Sequence, residues 1–474
     1  MFVQRRNPTQ AACWHHHRSA LSLDRHDSRI QAVQLRFTMG VPPGFGGEFP
    51  LDSNRSEFGP GALGWHGGGS QAKTSRISGR QNLGNRRVAA PTYCGVLLQP
   101  APVSKCPYMS THPHAETVGS LQRPDFLLNA RTAVARGELV PKAFKQIEDR
   151  AVNESIQLQE SVGLQVVTDG EQRRESFHEW LIKSVDGVSL TPALPIPMRG
   201  LPGHPDLELC SPVSVTGKLG LKRFSFVEEF AYARARTTQR IKVTVPSPLI
   251  YLLHIGTRTA AAYPDPYDLF TDAARLLRME CQELARLGCD YIQIDAPELT
   301  HPNDPLLRRT MFPDRGISPD EFAARASEML NIVTDVAGVE FAIHFCRGNS
   351  PTHYFSAGGY EAAVRNVCHE VTNASAFLME FDDARAGPLE FLRNVPDQKR
   401  VMLGFISSMK RAELESVDEI IRRIDEASRF HPRENLGIAP QCGFCSQVGI
   451  QGFDGVRQRQ KLQLVVDIAR RVWG

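Results

Sequence analysis

From Thr117 onward, short apolar segments alternate with longer segments of helical periodicity, and this alternation limits the possible folds more than any other feature of the sequence. Apolar residues that recur at intervals of three and four predict amphipathic helices. Gly163 and Gly288 are expected to end two of them, and Ser318-Pro319 is typical of a helix start. The predicted helices are 141–162, 269–287, one from Ser318, 416–430 and 457–473.

The apolar segments between these helices are short enough to be buried strands. The predicted strands are 164–169, 208–215, 240–245, 291–295, 339–344, 376–380, 401–405 and 436–439. Eight strands, most of them followed by a helix, predict an α/β fold and a (β/α)8 barrel formed by residues 111–474. A doubly wound open sheet is the alternative. No G-x-G-x-x-G motif follows an early strand, which counts against a dinucleotide-binding domain.

Composition excludes several classes of protein. Hydrophobic residues make up 41% and charged residues 23% of the 474-residue chain, as in ordinary globular proteins. A formal charge of +3 gives no reason to expect a nucleic acid or an anionic membrane as partner. Charged residues or glycines interrupt every apolar stretch before it could span a bilayer. Ten scattered cysteines without a secretory signal predict reduced thiols and a cytoplasmic location.

Residues 1–110 differ from the rest of the chain. Arginines accumulate there, acidic residues are few, and glycine and proline cluster without sustained periodicity. We therefore expect a disordered extension. An arginine-rich, acid-poor start is typical of a transit peptide. The alternative, which we favour because the segment exceeds transit-peptide length, is that translation begins at Met109.

A histidine and a cysteine two residues apart stand at the end of one predicted strand. His344 and Cys346 point to the same face of an extended segment, so both can reach one ion, and imidazole and thiolate are typical zinc ligands. Glu380 and Cys442 also follow short apolar segments. In a barrel the strand ends share one mouth, which brings Glu171 and Asp295 into the same region. A buried thiol beside a histidine without metal remains the alternative.

The ordered set of these motifs resembles the catalytic domain of cobalamin-independent methionine synthases, and in particular their shorter, single-barrel relatives. The resemblance spans residues 114–474. It rests on the Val118-Gly119-Ser120, Asp169-Gly170-Glu171, Ile292-Gln293-Ile294-Asp295, His344-x-Cys346-Arg347-Gly348-Asn349, Glu380 and Pro440-Gln441-Cys442-Gly443-Phe444 segments.

The resemblance implies a zinc-dependent methyltransferase in which His344, Cys346, Glu380 and Cys442 hold Zn2+. It also implies that homocysteine is bound through its amino-acid end by the backbone of Val118, Gly119 and Ser120 and by the carboxylates of Glu171 and Asp295. Carboxylates suit an ammonium group, and backbone N–H groups suit a carboxylate. Zinc supplies a thiolate at neutral pH, and His344, Cys346 and Cys442 are accordingly the expected catalytic ligands.

Zinc with four protein ligands is usually structural, so one ligand must yield to the substrate thiol or the coordination must expand. Glu380, the oxygen ligand, is the candidate for displacement. Cys445 follows Cys442 in a Cys-x-x-Cys and is a weaker candidate ligand.

Three features of the folate-dependent enzymes are missing. A tryptophan follows a Thr-Gly-Pro turn in that family, whereas this chain reads Pro-Ser-Pro at 246–248 and has no tryptophan among residues 249–254. Their Asp-Glu pair is Asp295-Ala296 here, and the loop after the seventh strand lacks their proposed histidine acid. The expected methyl donor is therefore not folate polyglutamate, and a corrinoid protein or a small methylated compound would fit.

Two alternatives remain open. Related enzymes with the same His-x-Cys loop open epoxides with coenzyme M. The sulfonate group of coenzyme M could be bound by an arginine. The candidate arginines are Arg123, Arg173, Arg174 and Arg347. A barrel with a purely structural zinc is the second alternative.

Overall fold

The computed structural model describes residues 113–311, 318–409, 413–450 and 452–474. The predicted extension 1–110 lies outside them, as do Lys410 and Arg411 in the loop after the seventh predicted strand. The α-helices are Asp125–Ala135 (α1), Pro141–Val162 (α2), Trp180–Lys183 (α3), Ser225–Arg234 (α4), Thr259–Ala262 (α5), Pro266–Arg286 (α6), Pro305–Met311 (α7), Pro319–Thr334 (α8), Glu361–Glu370 (α9), Val417–Ala427 (α10) and Gly455–Trp473 (α11). Short 3-10 helices are Pro248–His254, Pro297–Asn303, Ala384–Ala386, Leu389–Asn394 and Arg433–Asn435.

All five predicted helices are present, and their ends have the expected chemistry. Gly163 ends α2 in the left-handed conformation with φ 93°, which costs glycine little. Ser318 caps α8 by accepting a hydrogen bond from the Glu321 N–H. The helix predicted at 269–287 begins earlier, at Pro266, because the Asp265 side chain caps it there.

The strands form a six-stranded parallel sheet, a separate two-stranded parallel pair and two antiparallel additions. They are Val166–Val167 (β1), Val185–Ser189 (β2), Ile196–Gly200 (β3), Leu207–Leu209 (β4), Ser214–Leu221 (β5), Arg240–Ile241 (β6), Val243–Pro246 (β7), Tyr291–Asp295 (β8), Glu340–Phe345 (β9), His353–Tyr354 (β10), Ala374–Glu380 (β11), Arg400–Ile406 (β12) and Leu436–Pro440 (β13). The order β13-β12-β11-β9-β8-β7 is parallel throughout. The fold is therefore α/β, as predicted.

Further parallel pairing extends both edges of this sheet. At one edge Ala115 forms a parallel bridge with Ile438. At the other, β6 continues β7 and pairs in parallel with β1, and the Lys242 N–H donates to the Val167 carbonyl at 2.9 Å. Among the described residues no ladder joins β1 to the Ala115 segment, so hydrogen-bonded pairing alone does not close the sheet into a ring.

The prediction of a parallel barrel strand at 208–215 is wrong. β4 pairs with β3 and β5 pairs with β2, both in antiparallel fashion, within the long connection between β1 and β6. Several side chains of these strands are partly exposed. The N-terminal segment around Ala115, which pairs with β13, is not among the predicted strands, since its short length carries no periodicity.

Apolar side chains of the strands and helices form a large continuous core between sheet and helices. The carboxyl ends of the parallel strands consequently lie on a rigid base, and polar groups follow them at the strand ends and in the loops. None of the helices in the described ranges combines the length and the apolar character that crossing a membrane would require.

Candidate metal and thiol site

The loops after three parallel strands bring four potential metal ligands together. His344 lies near the end of β9 and Cys346 directly after it, Glu380 is the last residue of β11, and Cys442 follows β13. One ligand atom from each lies within 4.8 Å of the others. The Sγ atoms of Cys346 and Cys442 are 3.5 Å apart, close to the ~3.8 Å between two sulfurs of a tetrahedral zinc site with Zn–S bonds of ~2.3 Å.

His344 is oriented as a metal ligand would be. Its Nδ1 hydrogen-bonds to the Leu378 carbonyl at 3.3 Å, and its Nε2 is buried without a partner. Burial lowers the pKa of His344 to about 3, so the ring is neutral. With Nδ1 donating to the carbonyl, the Nε2 lone pair is available, which is the arrangement of a histidine ligand held by a neighbouring carbonyl.

The Cys346-Arg347-Gly348-Asn349 loop holds the other donors. Gly348 has φ 65° and donates its N–H to the Cys346 sulfur at 3.3 Å. A Cβ at Gly348 would lie 2.1 Å from the Phe355 ring, so the turn requires glycine. The two Glu380 oxygens accept from the Arg347 N–H at 3.0 Å and the Asn349 side-chain amide at 2.6 Å.

This donor set fits zinc. One nitrogen, two sulfurs and one oxygen are its usual protein ligands, and all four residues are largely removed from water. The hydrogen bond between Cys346 and Cys442, and secondly burial, raise the pKa of Cys346 well above its ordinary value. A cation between the two sulfurs would reverse that preference, because a coordinated thiol is deprotonated.

The predicted homocysteine-binding residues lie at adjoining strand ends. Glu171 has φ 55°, the sole positive value for a non-glycine residue in the described part of the chain, and such a conformation persists where surrounding contacts enforce it. Its Oε1 accepts from the Thr244 hydroxyl at 2.9 Å, while its buried Oε2 has no hydrogen-bond partner. The Arg174 guanidinium lies 3.9 Å from Oε1 and pairs more closely with Glu229, at 2.7 Å.

Asp295 joins this region from β8, where it pairs in register with His344. Burial, and secondly the charge of Glu171, raise the pKa of Asp295 to about 8. Its Oδ1 accepts from the Gln293 amide at 2.7 Å. Two neighbouring carboxyl groups, one with an unpartnered oxygen, form an acidic locus, and an ammonium group bound there would lower the pKa of Asp295 and favour its carboxylate form.

The Val118-Gly119-Ser120 segment lies between the two groups of residues. Gly119 is so close to Glu171 that a Cβ would stand 2.7 Å from its Oε1. The Ser120 carbonyl accepts from the Phe444 N–H at 2.8 Å, in the loop that carries Cys442. The sulfur of Cys445 contacts the Gln447 carbonyl at 3.3 Å and is outside the four-residue cluster.

The candidate anion-binding arginines have other partners. Arg123 donates to the carbonyls of Glu171 and Arg174, and Arg173 pairs with Asp149 at 2.5 Å. Arg347 stacks over the Tyr360 ring with 4.4 Å between its Cζ and the ring centroid. These contacts hold loops and helices together, but the two terminal nitrogens of Arg347 are buried without a hydrogen-bond partner, so Arg347 keeps free donors for an anion.

Sequence reasoning missed several groups beside the site. Tyr360, on no recognised motif, receives a hydrogen bond from the Glu380 N–H at 3.0 Å. Glu298 and His301, on the 3-10 helix after β8, are fully buried, and none of their side-chain polar atoms has a hydrogen-bond partner. The only sequence signal for Glu298 and His301 was their position just after the predicted strand that ends in Asp295.

The motifs correspond to a known family. A family model described as the catalytic domain of cobalamin-independent synthase matches residues 114–471. The chain belongs to this family. Its members include methionine synthases, and the chain is accordingly a methyltransferase of the methionine synthase family.

Relatives of similar length support this assignment. The chain is 31% identical over 366 residues to the uncharacterized protein YxjG of Bacillus subtilis, covering 76% of this chain and 94% of that one. It is 25% identical to a methionine synthase of Pyrococcus abyssi, covering 69% and 84%. A structure of a B12-independent methionine synthase from Shewanella sp. W3-18-1, in complex with selenomethionine, shares the fold with TM-score 0.57 at 20% identity, covering 76% and 97%.

Proposed function

We propose that this protein is a zinc-dependent methyltransferase that activates homocysteine as a thiolate and forms methionine, with a methyl donor other than folate polyglutamate. The observation that carries the proposal is the meeting of two sets of groups at neighbouring strand ends. One is the His344, Cys346, Glu380 and Cys442 cluster. The other is the acidic locus of Glu171 and Asp295.

We also infer that the parallel sheet closes into a (β/α)8 barrel formed by residues 111–474. Two hydrogen bonds link its open edges: the Thr168 hydroxyl donates to the Gly119 carbonyl at 2.7 Å, and the Leu121 N–H donates to the Gly170 carbonyl at 3.0 Å. Side chains from successive parallel segments also meet in one interior cluster, as barrel interiors require. They are Val118, Val166, Tyr291, Ala342, Ala376, Leu378, Met402 and Ala439.

The chemistry divides between the two sets. Zinc held by the four donors supplies a thiolate at neutral pH. Glu171 and Asp295 bind the ammonium group of homocysteine, and the backbone of residues 118–120 receives its carboxylate. This positioning holds the sulfur near the methyl donor and excludes water from it.

If the four residues hold zinc, Glu380 would be the ligand that yields to the substrate thiol. Both of its oxygens already accept hydrogen bonds, from the Arg347 N–H and the Asn349 amide. A displaced Glu380 carboxylate would therefore keep partners, whereas a displaced buried thiolate would lose its compensation. Zinc-edge spectroscopy of the protein with homocysteine tests this displacement. If the oxygen ligand is retained and the zinc coordination number does not increase, Glu380 is not displaced.

The donor is inferred from what the folate-dependent enzymes have and this chain lacks. The 3-10 helix at Pro248–His254 carries no tryptophan, and Ala296 follows Asp295. A small methylated compound fits these differences. A corrinoid protein, the other candidate, gains no support from relatives that are described as cobalamin-independent.

The decisive experiment uses purified protein, bound-zinc determination and titration with homocysteine and with coenzyme M while proton release is followed. About one zinc per chain and a proton released by homocysteine support the proposal. A response to coenzyme M alone would transfer the assignment to epoxide opening. Zinc that responds to neither thiol would make the metal structural.

Two variants separate the metal from the amino-acid site. Cys442→Ala is expected to lose zinc and thiol alkylation together. Asp295→Asn is expected to keep zinc and bind homocysteine more weakly, since it removes a carboxylate from the ammonium locus. Retained zinc in the first variant, or unchanged homocysteine affinity in the second, would contradict the assignment.

A further inference from the structure

Glu298 is a buried carboxyl group that has no role in the proposed zinc and homocysteine sites. It lies on the 3-10 helix Pro297–Asn303, and its side chain is 0% exposed. No hydrogen bond of ordinary geometry reaches either carboxylate oxygen. Buried polar groups in folded proteins nearly always have a partner, so a carboxyl group left in this state calls for an explanation.

Two hydrogen bonds attach this helix to the metal-binding loop. The Ala296 N–H donates to the His344 carbonyl at 2.9 Å, and the Thr300 hydroxyl donates to the Cys346 carbonyl at 3.0 Å. Glu298 lies between these two attachment points, and hence beside the loop that carries two of the four candidate ligands. Asp295, at the end of the preceding strand, is close enough for its charge to act on Glu298.

The next polar side chain on the same face is His301. Residues three apart eclipse each other in a 3-10 helix, so Glu298 and His301 project to one side. His301 is also fully buried with both ring nitrogens unpartnered, and it packs against Phe355 with 5.8 Å between ring centroids. The contacts of these two side chains show no role for either of them in stabilising the fold.

We propose that Glu298 is the catalytic acid that protonates the leaving nitrogen of the methyl donor. The inference rests on the proposed function and extends it to the class of donor. A family member without the histidine acid of the seventh loop needs another proton source, and Glu298 is the one buried, unpartnered carboxyl group attached to the metal loop among the described residues.

The protonation state of Glu298 suits this role. Burial raises its pKa to about 8, although its own backbone N–H and the Ser247 hydroxyl lie near enough to lower it, and the charge of Asp295 has a smaller, raising effect. Glu298 is therefore a neutral carboxylic acid at pH 7 and can donate a proton. His301 is uncharged, because burial lowers its pKa to about 3, and so it supplies no positive charge that would ionise Glu298 before the reaction.

The step balances in atoms and electrons. The homocysteine thiolate attacks the methyl carbon, an S–C bond forms, and the N–C bond of the donor breaks with its electron pair passing to nitrogen. The Glu298 carboxyl group transfers its proton to that nitrogen and becomes a carboxylate, which regains a proton from solvent after product release. A methyl group on a neutral nitrogen needs this proton, whereas an iodide leaving group does not.

The test compares two methyl sources in single-turnover reactions of the zinc-loaded full chain with homocysteine. One probe is 5-methyltetrahydrofolate with a single glutamate, whose methyl group is on a neutral nitrogen, and the other is methyl iodide. Glu298→Gln keeps the shape of the side chain but not its acidity. We expect it to slow transfer from the nitrogen probe by ~100-fold or more and transfer from methyl iodide by no more than ~3-fold.

Glu280→Gln is the matched control. Glu280 is also a buried carboxyl group with a pKa raised by burial to about 7, but it accepts hydrogen bonds from Trp180 and Phe226 in the core. This variant should transfer methyl groups from both probes as the unmodified protein does. Equal slowing of both probes by Glu298→Gln would make Glu298 structural and overturn the proposal.

Two further readouts separate this inference from the proposed function. Transfer from the nitrogen probe should fall as pH rises through about 8, and this decline should be absent in Glu298→Gln. Infrared spectroscopy at pH 7 should show a protonated carboxyl band that Glu298→Gln removes. An ionised Glu298, or no transfer from the nitrogen probe alongside normal reaction with methyl iodide, overturns the inference. Failure of zinc-loaded protein to alkylate homocysteine even with methyl iodide overturns the proposed function instead.

Discussion

Replacement of Gly119 by alanine should weaken homocysteine binding without affecting the metal site. The new Cβ would stand 2.7 Å from Oε1 of Glu171 and 2.8 Å from Cγ2 of Thr244. Thr244 is β-branched and its side chain adapts poorly, so Glu171 must move. Ordinary contacts between carbon atoms are ~3.5 Å or longer. To place Oε1 of Glu171 ~3.4 Å from the new Cβ, the Glu171 side chain must shift by ~0.7 Å.

That shift would lengthen the 2.9 Å hydrogen bond from Thr244 to Glu171 beyond ordinary hydrogen-bond range. Hydrogen bonds to charged groups contribute about 1.5–3 kcal/mol. Because Glu171 is the proposed partner of the homocysteine ammonium group, its displacement should raise the homocysteine Kd by roughly 10- to 150-fold.

Isothermal titration calorimetry of zinc-loaded protein with homocysteine measures the change, and metal analysis measures zinc in the same samples. Gly455→Ala is the control, since a Cβ at Gly455 meets no atom within 4 Å. We expect the control to bind homocysteine normally. Unchanged affinity in Gly119→Ala, or loss of zinc from it, would refute the placement of the amino-acid site.

Three further changes test the metal site and the fold. Removal of zinc with a chelator should lower the Tm of the unmodified protein, measured by calorimetry, but leave the Tm of Cys442→Ala unchanged. The reason is that, of these two proteins, only the unmodified one is expected to bind zinc in the folded state. Burial opposes ionisation of Glu340, yet the guanidinium groups facing it lower its pKa to about 2. The stabilisation is therefore present above about pH 4.5 and is lost as pH falls towards 2; Glu340→Gln should flatten the pH dependence of unfolding free energy in that range. Lys242→Met should destabilise the protein by about 3–5 kcal/mol in urea titrations, since it leaves the buried Glu116 carboxylate, 3.0 Å from the Lys242 ammonium, without that partner.

The helices were predictable because their determinants are local. Apolar spacing along 141–162 and the following Gly163 specify α2 without reference to any other segment. The pairing of His344 with Cys346 was equally local, since an extended strand places alternate residues on one face.

The strand order was only partly predictable, because pairing joins segments that are distant in the chain. The segment at 208–215 has apolar residues of the right length, but its partners are antiparallel neighbours outside the sheet. The Ala115 segment is too short to show periodicity and is recognisable only through its bridge to Ile438, more than three hundred residues away.

The sequence by itself therefore determined which residues carry donor groups and that they follow strands. The tertiary structure decided which of them meet. Cys442 reaches within 3.5 Å of Cys346 because β13 and β9 belong to one parallel sheet, whose order no local pattern encodes. Glu298 is an ordinary acidic residue in the sequence. Only the packing of its helix against the metal loop removes it from water and from partners, and that environment gives the side chain its chemistry.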